Sequence, residues 1–230
     1  MKVVVFDFDG TLTKSKKGSN CWRRVWQYLG DVETDDKLYN MYANKEITNQ
    51  QWFDLINQNF IEKRLDKQAM EIISKDMEMI DGAKDTLKVL NENGIKVFVL
   101  SGGVKQIIEH TLKREGVYKF IESIEAYDFK FDKHGKFTHF VAPKHNLDVK
   151  SEYINIILKK YNLQGKDVLF VGNDSNDEEA YKSGATTLCI NPHHADFNNK
   201  KIWNYTIKDC KNLTEILKFV DITAKTQNLT

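Results

Sequence analysis

Asp7-Phe8-Asp9-Gly10-Thr11 follows directly on the apolar run Val3–Phe6. A run that short, made of β-branched and aromatic residues, reads as a buried strand. In an open α/β sheet, ligands bind just beyond the carboxyl ends of the strands. Two carboxylates one residue apart at such an end can divide a reaction between a nucleophile and a proton-transfer group. Ser101-Gly102-Gly103 ends a second run, Val97–Leu100, and opens a helix. A hydroxyl with glycine amides at a helix N-terminus makes an anion site. Gly172-Asn173-Asp174-Ser175-Asn176-Asp177 follows a third run, Val168–Val171, and its crowded side-chain oxygens suit Mg²⁺, a hard cation. Lys150 opens the helix that leads into that third run. Each feature also has a plain structural reading: a polar strand end, an N-cap, a capped turn, a solvated lysine. Their order along the chain gives them joint meaning.

The elements that must position these residues alternate. Val3–Phe6, Ile95–Leu100, Val168–Val171 and Thr186–Ile190 read as strands, and Ala83–Asn93, Lys105–Glu115 and Ser151–Tyr161 carry helical period. That alternation predicts an α/β fold with a Rossmann-like parallel sheet covered on both faces. The first of these helices meets its stop at Gly94. Aromatic residues alternating across Phe129–Phe140, around Asp132-Lys133-His134-Gly135, predict a β-hairpin. Ser19–Lys75 breaks the pattern, with no strand and many aromatics at helical spacing, among them Trp22, Trp26, Trp52, Phe53 and Phe60. Thr48 and Gln51 have capping-box spacing. This segment is expected to be an inserted helical cap whose aromatics form its own core. The expected division is a catalytic core of 1–13 and 80–230 with a cap of 14–79. The end of the chain, Asn212–Thr230, reads as a terminal helix fraying into a polar tail.

The chain has 230 residues, with 34 Lys+Arg against 33 Asp+Glu. That balance sets aside a dedicated non-specific nucleic-acid binder. A hydrophobic content of 41% with 29% charged residues is that of a globular protein. Cys21, Cys189 and Cys210 are odd in number and far apart, as suits a reducing compartment. The apolar runs are strand-length, and no signal peptide or membrane span is visible. A cytoplasmic protein acting on a small molecule, with neither nucleic acid nor membrane as partner, is the expectation.

The four motifs resemble those of the haloacid dehalogenase-like hydrolase superfamily, on its phosphoserine-phosphatase-like branch, over about residues 1–190. The resemblance implies a Mg²⁺-dependent phosphomonoester phosphatase acting on a small phosphorylated metabolite. It casts Asp7 as the nucleophile that forms an aspartyl-phosphate. Asp9 becomes the acid and base, and its backbone carbonyl a metal ligand. Ser101 and Gly102 are implied to hold phosphate oxygens, Lys150 to offset charge, and Asp7 to share in Mg²⁺ binding. The fourth motif departs from the family's Gly-Asp opening. Position favours Asn173 as the metal ligand and charge favours Asp174, while Asp177 matches a later aspartate that supports the metal shell or the lysine. A neutral Asn173 ligand implies a higher Mg²⁺ requirement. Phosphoserine phosphatases read their substrate's head group with a glutamate and an arginine, whereas Lys16 and, more loosely, Asp54 stand near those places here. Neither charge matches, which points away from phosphoserine. Lys14, Lys16 and Lys17 put cations where the chain leaves the site, while His193-His194 and Lys144-His145 read as surface loops. A phosphomutase or phosphotransferase using the same intermediate, and a catalytically silent binding protein of the same fold, are the alternatives.

Overall fold

The computed structural model describes residues 1–14, 20–143 and 150–220. Seven strands form one sheet: β1 (Val3–Phe6), β2 (Lys96–Val104), β3 (Ile121–Phe131), β4 (Phe137–Val141), β5 (Val168–Gly172), β6 (Thr186–Ile190) and β7 (Tyr205–Ile207). Their order is β4-β3-β2-β1-β5-β6-β7. All pairings are parallel except β3 with β4, so the sheet is mixed, and the antiparallel pair is the hairpin expected around Asp132–Gly135.

All four residues of β1 are buried. Val4 and Phe6 join one core while Val3 and Val5 join another, because successive side chains point to opposite faces. The first core is shared with helices α5 (Ala83–Glu92) and α6 (Lys105–Arg114), the second with α7 (Lys150–Tyr161). Gly94 takes φ +72°, the left-handed geometry of a helix stop.

Between β1 and β2 run α1 (Cys21–Tyr28), α2 (Val32–Ala43), α3 (Asn49–Glu62) and α4 (Lys67–Lys75). Thr48 and Gln51 form the capping box of α3. The chain returns to the sheet at Met79 and Ile80, where Met79 bridges Thr13 and the Ile80 amide donates to the Leu12 carbonyl at 3.0 Å. Two details depart from the sequence expectation. The aromatics of the helical segment do not form a separate core: Trp22, Phe53 and Phe60 pack edge-on or tilted against Tyr127, Phe129, Phe137 and Phe140 of the hairpin. The 3₁₀ segment Leu213–Phe219 replaces the helix expected near the end of the chain, and another 3₁₀ segment, Ser175–Ser183, follows β5 where the motif of Gly172–Asp177 ends. Residues 221–230 of the expected frayed tail lie outside the described set.

Candidate active site

β1 is flanked by β2 on one side and β5 on the other, so the chain diverges at its carboxyl end. That divergence opens the crevice where open α/β sheets bind ligands. The Asp7 amide donates to the Val171 carbonyl at 2.9 Å, extending the ladder by one bond and fixing Asp7 at the strand end. Gly10 then turns the chain at φ +80°, and the amides of Thr11, Leu12 and Thr13 converge on the Phe8 carbonyl. A Cβ at Gly10 would lie 2.4 Å from Asn173 Nδ2, so only glycine lets this loop lie against the β5 loop. Thr11 Oγ1 donates to Asn173 Oδ1 at 3.2 Å across the same contact.

Lys150 opens α7 and has no exposed surface. Its Nζ donates to Asp7 Oδ1 at 2.9 Å and also bonds Asp177 Oδ1. Asp177 Oδ2 accepts the amides of Asn173 at 2.8 Å and Asp174 at 3.0 Å. Asp177, expected among the metal residues, thus commits both oxygens to the lysine and the β5 loop and does not line the cleft. A Cβ at Gly172 would lie 2.5 Å from the Asp177 carboxylate, which is why a glycine ends β5.

The Asp9 carboxylate is held from the helical segment. Oδ2 accepts the Cys21 amide at 3.1 Å and Oδ1 accepts the Cys21 thiol at 3.4 Å. Ser101 and Gly102 lie in the last turn of β2 rather than at a helix start, since α6 opens only at Lys105 and the pairing with β3 shifts register between Leu100 and Val104. Ser101 Oγ accepts the Gly103 amide at 3.0 Å, and the Gly102 carbonyl accepts Trp22 Nε1 at 2.8 Å.

These groups border a cleft of about 140 Å³. Asp7, Asp9, Ser101, Gly102, Asn173 and Asp174 of the expected set line it. Asn20, Trp22, Asn176 and His193 line it without having been singled out for it. His193, read from the sequence as a surface-loop residue, is brought in because its amide donates to the Asn173 carbonyl at 2.8 Å. Asp54 is exposed on α3, where it accepts from Gln50, and takes no part in the cleft. Lys14 turns to Glu78 and Asp81 at 2.8 and 2.9 Å instead of toward the cleft. Lys16, Lys17, Lys144 and His145 lie outside the described residues.

Burial raises the Asp7 pKa from 3.8 to about 7, with Lys150 opposing and the Asp177 and Asp9 charges reinforcing the rise. Burial likewise raises Asp9, against the two hydrogen bonds from Cys21. Lys150 is opposed by burial but held well above the ordinary lysine range by Asp177 and Asp7. Burial and the Asp9 carboxylate keep the Cys21 thiol protonated. Asp7 and Asp177 thus share one lysine with Asp9 close by, and the charges of Asp177 and Asp9 add to burial in pushing Asp7 toward its neutral form. A divalent cation at the cleft would relieve that crowding, and the hard oxygen donors of Asp7, Asp9 and Asn173 fit Mg²⁺. The rim set of Asp174, His193 and His194, whose ligand atoms lie within 4.8 Å of one another, contains nitrogens that Mg²⁺ takes poorly.

Residues 1–184 match the family model described as haloacid dehalogenase-like hydrolase. The chain belongs to that family. Within it, this hydrolase is similar to phosphoserine phosphatases. It is 25% identical over 228 residues to the phosphoserine phosphatase of Methanocaldococcus jannaschii, covering 95% of this chain and 97% of that one. Its fold is that of a haloacid dehalogenase family hydrolase from Salmonella enterica serovar Typhi (TM-score 0.78, 13% identity, covering 97% of this chain and 71% of that one). A substrate-bound phosphoserine phosphatase superposes with a TM-score of 0.72 at 20% identity, over 95% of this chain and 97% of that one. No helix among the described residues is long and apolar enough to cross a membrane.

Proposed function

We propose that this hydrolase is a Mg²⁺-dependent phosphomonoester phosphatase that acts on a small phosphorylated metabolite through an aspartyl-phosphate on Asp7. The observation that carries the reading is the pairing of Asp7 with the buried Lys150 at the same cleft where Asp9 stands two residues on. Lys150 holds Asp7 Oδ1 and opposes the rise that burial gives its pKa, favouring the carboxylate form whose oxygen attacks phosphorus. As the ester bond breaks, the alcohol oxygen leaves with a proton from Asp9. Asp9 then takes a proton from water as that water attacks phosphorus, and phosphate departs with Asp7 restored. Ser101 and Gly102 line the same cleft, which supports the role of holding the phosphoryl oxygens while charge develops on them. A bound Mg²⁺ would supply charge neutralisation for the phosphoryl transfer.

Asp7, the Asp9 carbonyl and the Asn173 side-chain oxygen are the ligands we assign to it. Asn173 is favoured over Asp174 because it is buried against Gly10 and Thr11, whereas the Asp174 carboxylate faces His193 and the Ser175 amide. Asp177 keeps the role of holding Lys150. The small cleft supports a compact substrate, and Asp54, outside it, has no part in reading the head group.

A phosphate-release screen over small phosphorylated metabolites, with and without Mg²⁺, tests the reading. Release that needs Mg²⁺ is expected. An isomerised product without free phosphate makes the protein a mutase, and no turnover of any ester overturns the assignment.

A further inference from the structure

The catalytic motifs explain Asp7, but nothing in them explains how Asp9 is held. Its two neighbours in the chain offer it no donor. Instead both carboxylate oxygens are bonded by one residue of the helical segment, Cys21, through its amide at 3.1 Å and its thiol at 3.4 Å. Cys21 is fully buried as the first residue of α1, after the N-cap Asn20. The fit is close on the far side too: a Cβ at Gly103 would lie 3.0 Å from both Asp9 Oδ2 and Cys21 Sγ. The next residue, Trp22, ties the same turn of α1 to the Gly102 carbonyl at 2.8 Å. The first turn of α1 is thus fastened to the acid and to the phosphate loop at once.

We propose that Cys21 is the positioning residue for Asp9, so that docking of the α1 turn and correct aim of the acid toward the leaving oxygen are a single event. This rests on the phosphatase reading above. The amide alone holds one carboxylate oxygen and leaves the group free to pivot about it. The thiol supplies the second point that fixes its plane. When α1 lifts, both donors leave together, and Asp9 loses the geometry for proton transfer before substrate can be cleaved.

Positioning of an acid has a signature that mere stabilisation lacks, because its worth depends on how much the leaving group needs a proton. 4-Nitrophenyl phosphate expels a stable phenolate and needs little help, whereas phenyl phosphate, close to it in shape, needs more. The experiment measures kcat/KM, which reports the step of ester cleavage, for both esters with Mg²⁺ in wild type, Cys21→Ala and Cys21→Ser. Cys21→Ala is expected to lose about tenfold more on phenyl phosphate than on 4-nitrophenyl phosphate, the worth of a hydrogen bond to a charged group. Cys21→Ser, which restores a donor, is expected to bring the ratio of the two rates back toward that of wild type. Should Cys21→Ala fail to fold, Cys21→Val fills the volume without a donor and takes its place. Equal losses on both esters, no loss, or a Cys21→Ser ratio as disturbed as that of Cys21→Ala overturns the proposal. A wild type inactive on every phosphate ester instead overturns the phosphatase reading, so the two failures are told apart.

Discussion

Lys150 is fully buried between Asp7 and Asp177, and a charge in that setting persists only because both partners are present. Lys150→Met keeps the volume but strands Asp177 beside Asp7. It is expected to cost about 3–5 kcal/mol in chemical denaturation and to abolish turnover; a stability within error of wild type would remove Lys150 from this role. Asn173→Asp restores a charged oxygen where the amide now meets Thr11. It is expected to lower the half-saturating Mg²⁺ concentration by about tenfold, and an unchanged Mg²⁺ dependence would move the ligand elsewhere. The acidic and hydroxyl residues of this chemistry were legible in the sequence because each follows an apolar strand at short range, whereas Lys150, at a helix start, gained meaning only from the order of the motifs. Their division of labour was not. Asp177 has the same chemistry as a metal ligand, and only the distances to Lys150 and the two amides show where its oxygens are spent.

Strand ends and helix starts decide how closely the loops approach. Gly172 has no room for a methyl group beside Asp177. Gly172→Ala is expected to push that carboxylate off Lys150, lowering Tm by roughly 4–10 °C as overpacking does, with activity falling alongside. A Tm equal to that of wild type would show that the contact relaxes without consequence. The alternation of strands and helices was readable from composition, as was the capping box of α3, since both are local patterns. The extension of β2 through Val104 was not, because Gly102 and Gly103 punctuate a strand no differently from a turn until the bulge against β3 is seen. Nor could Trp22 be separated from the other aromatics: its spacing is that of a core residue and it packs half-buried against the core, but its indole nitrogen reaches Gly102 across 80 residues of sequence.

At the scale of the whole molecule, a net charge of +1 conceals a cleft in which carboxylates outnumber their cation. The consequence is measurable without substrate. With the Asp7 pKa raised from 3.8 to about 7, the folded chain holds a proton there that the unfolded chain has released. Stability of the metal-free protein is therefore expected to fall as pH rises between those two values. Asp7→Asn should flatten that slope in Tm-against-pH scans, and added Mg²⁺ should raise Tm most at the upper end, because it binds the folded state alone. An identical slope in wild type and Asp7→Asn would place the crowding elsewhere. The central claim is that Asp7 carries the phosphoryl group. It is tested most directly by mixing enzyme, Mg²⁺ and a hydrolysed ester, quenching in acid and weighing the chain. The expected result is a gain of one phosphoryl group on the peptide containing Asp7, absent in Asp7→Asn. Phosphate release from a wild-type chain that never gains that mass, or an Asp7→Asn variant with full turnover, would contradict it.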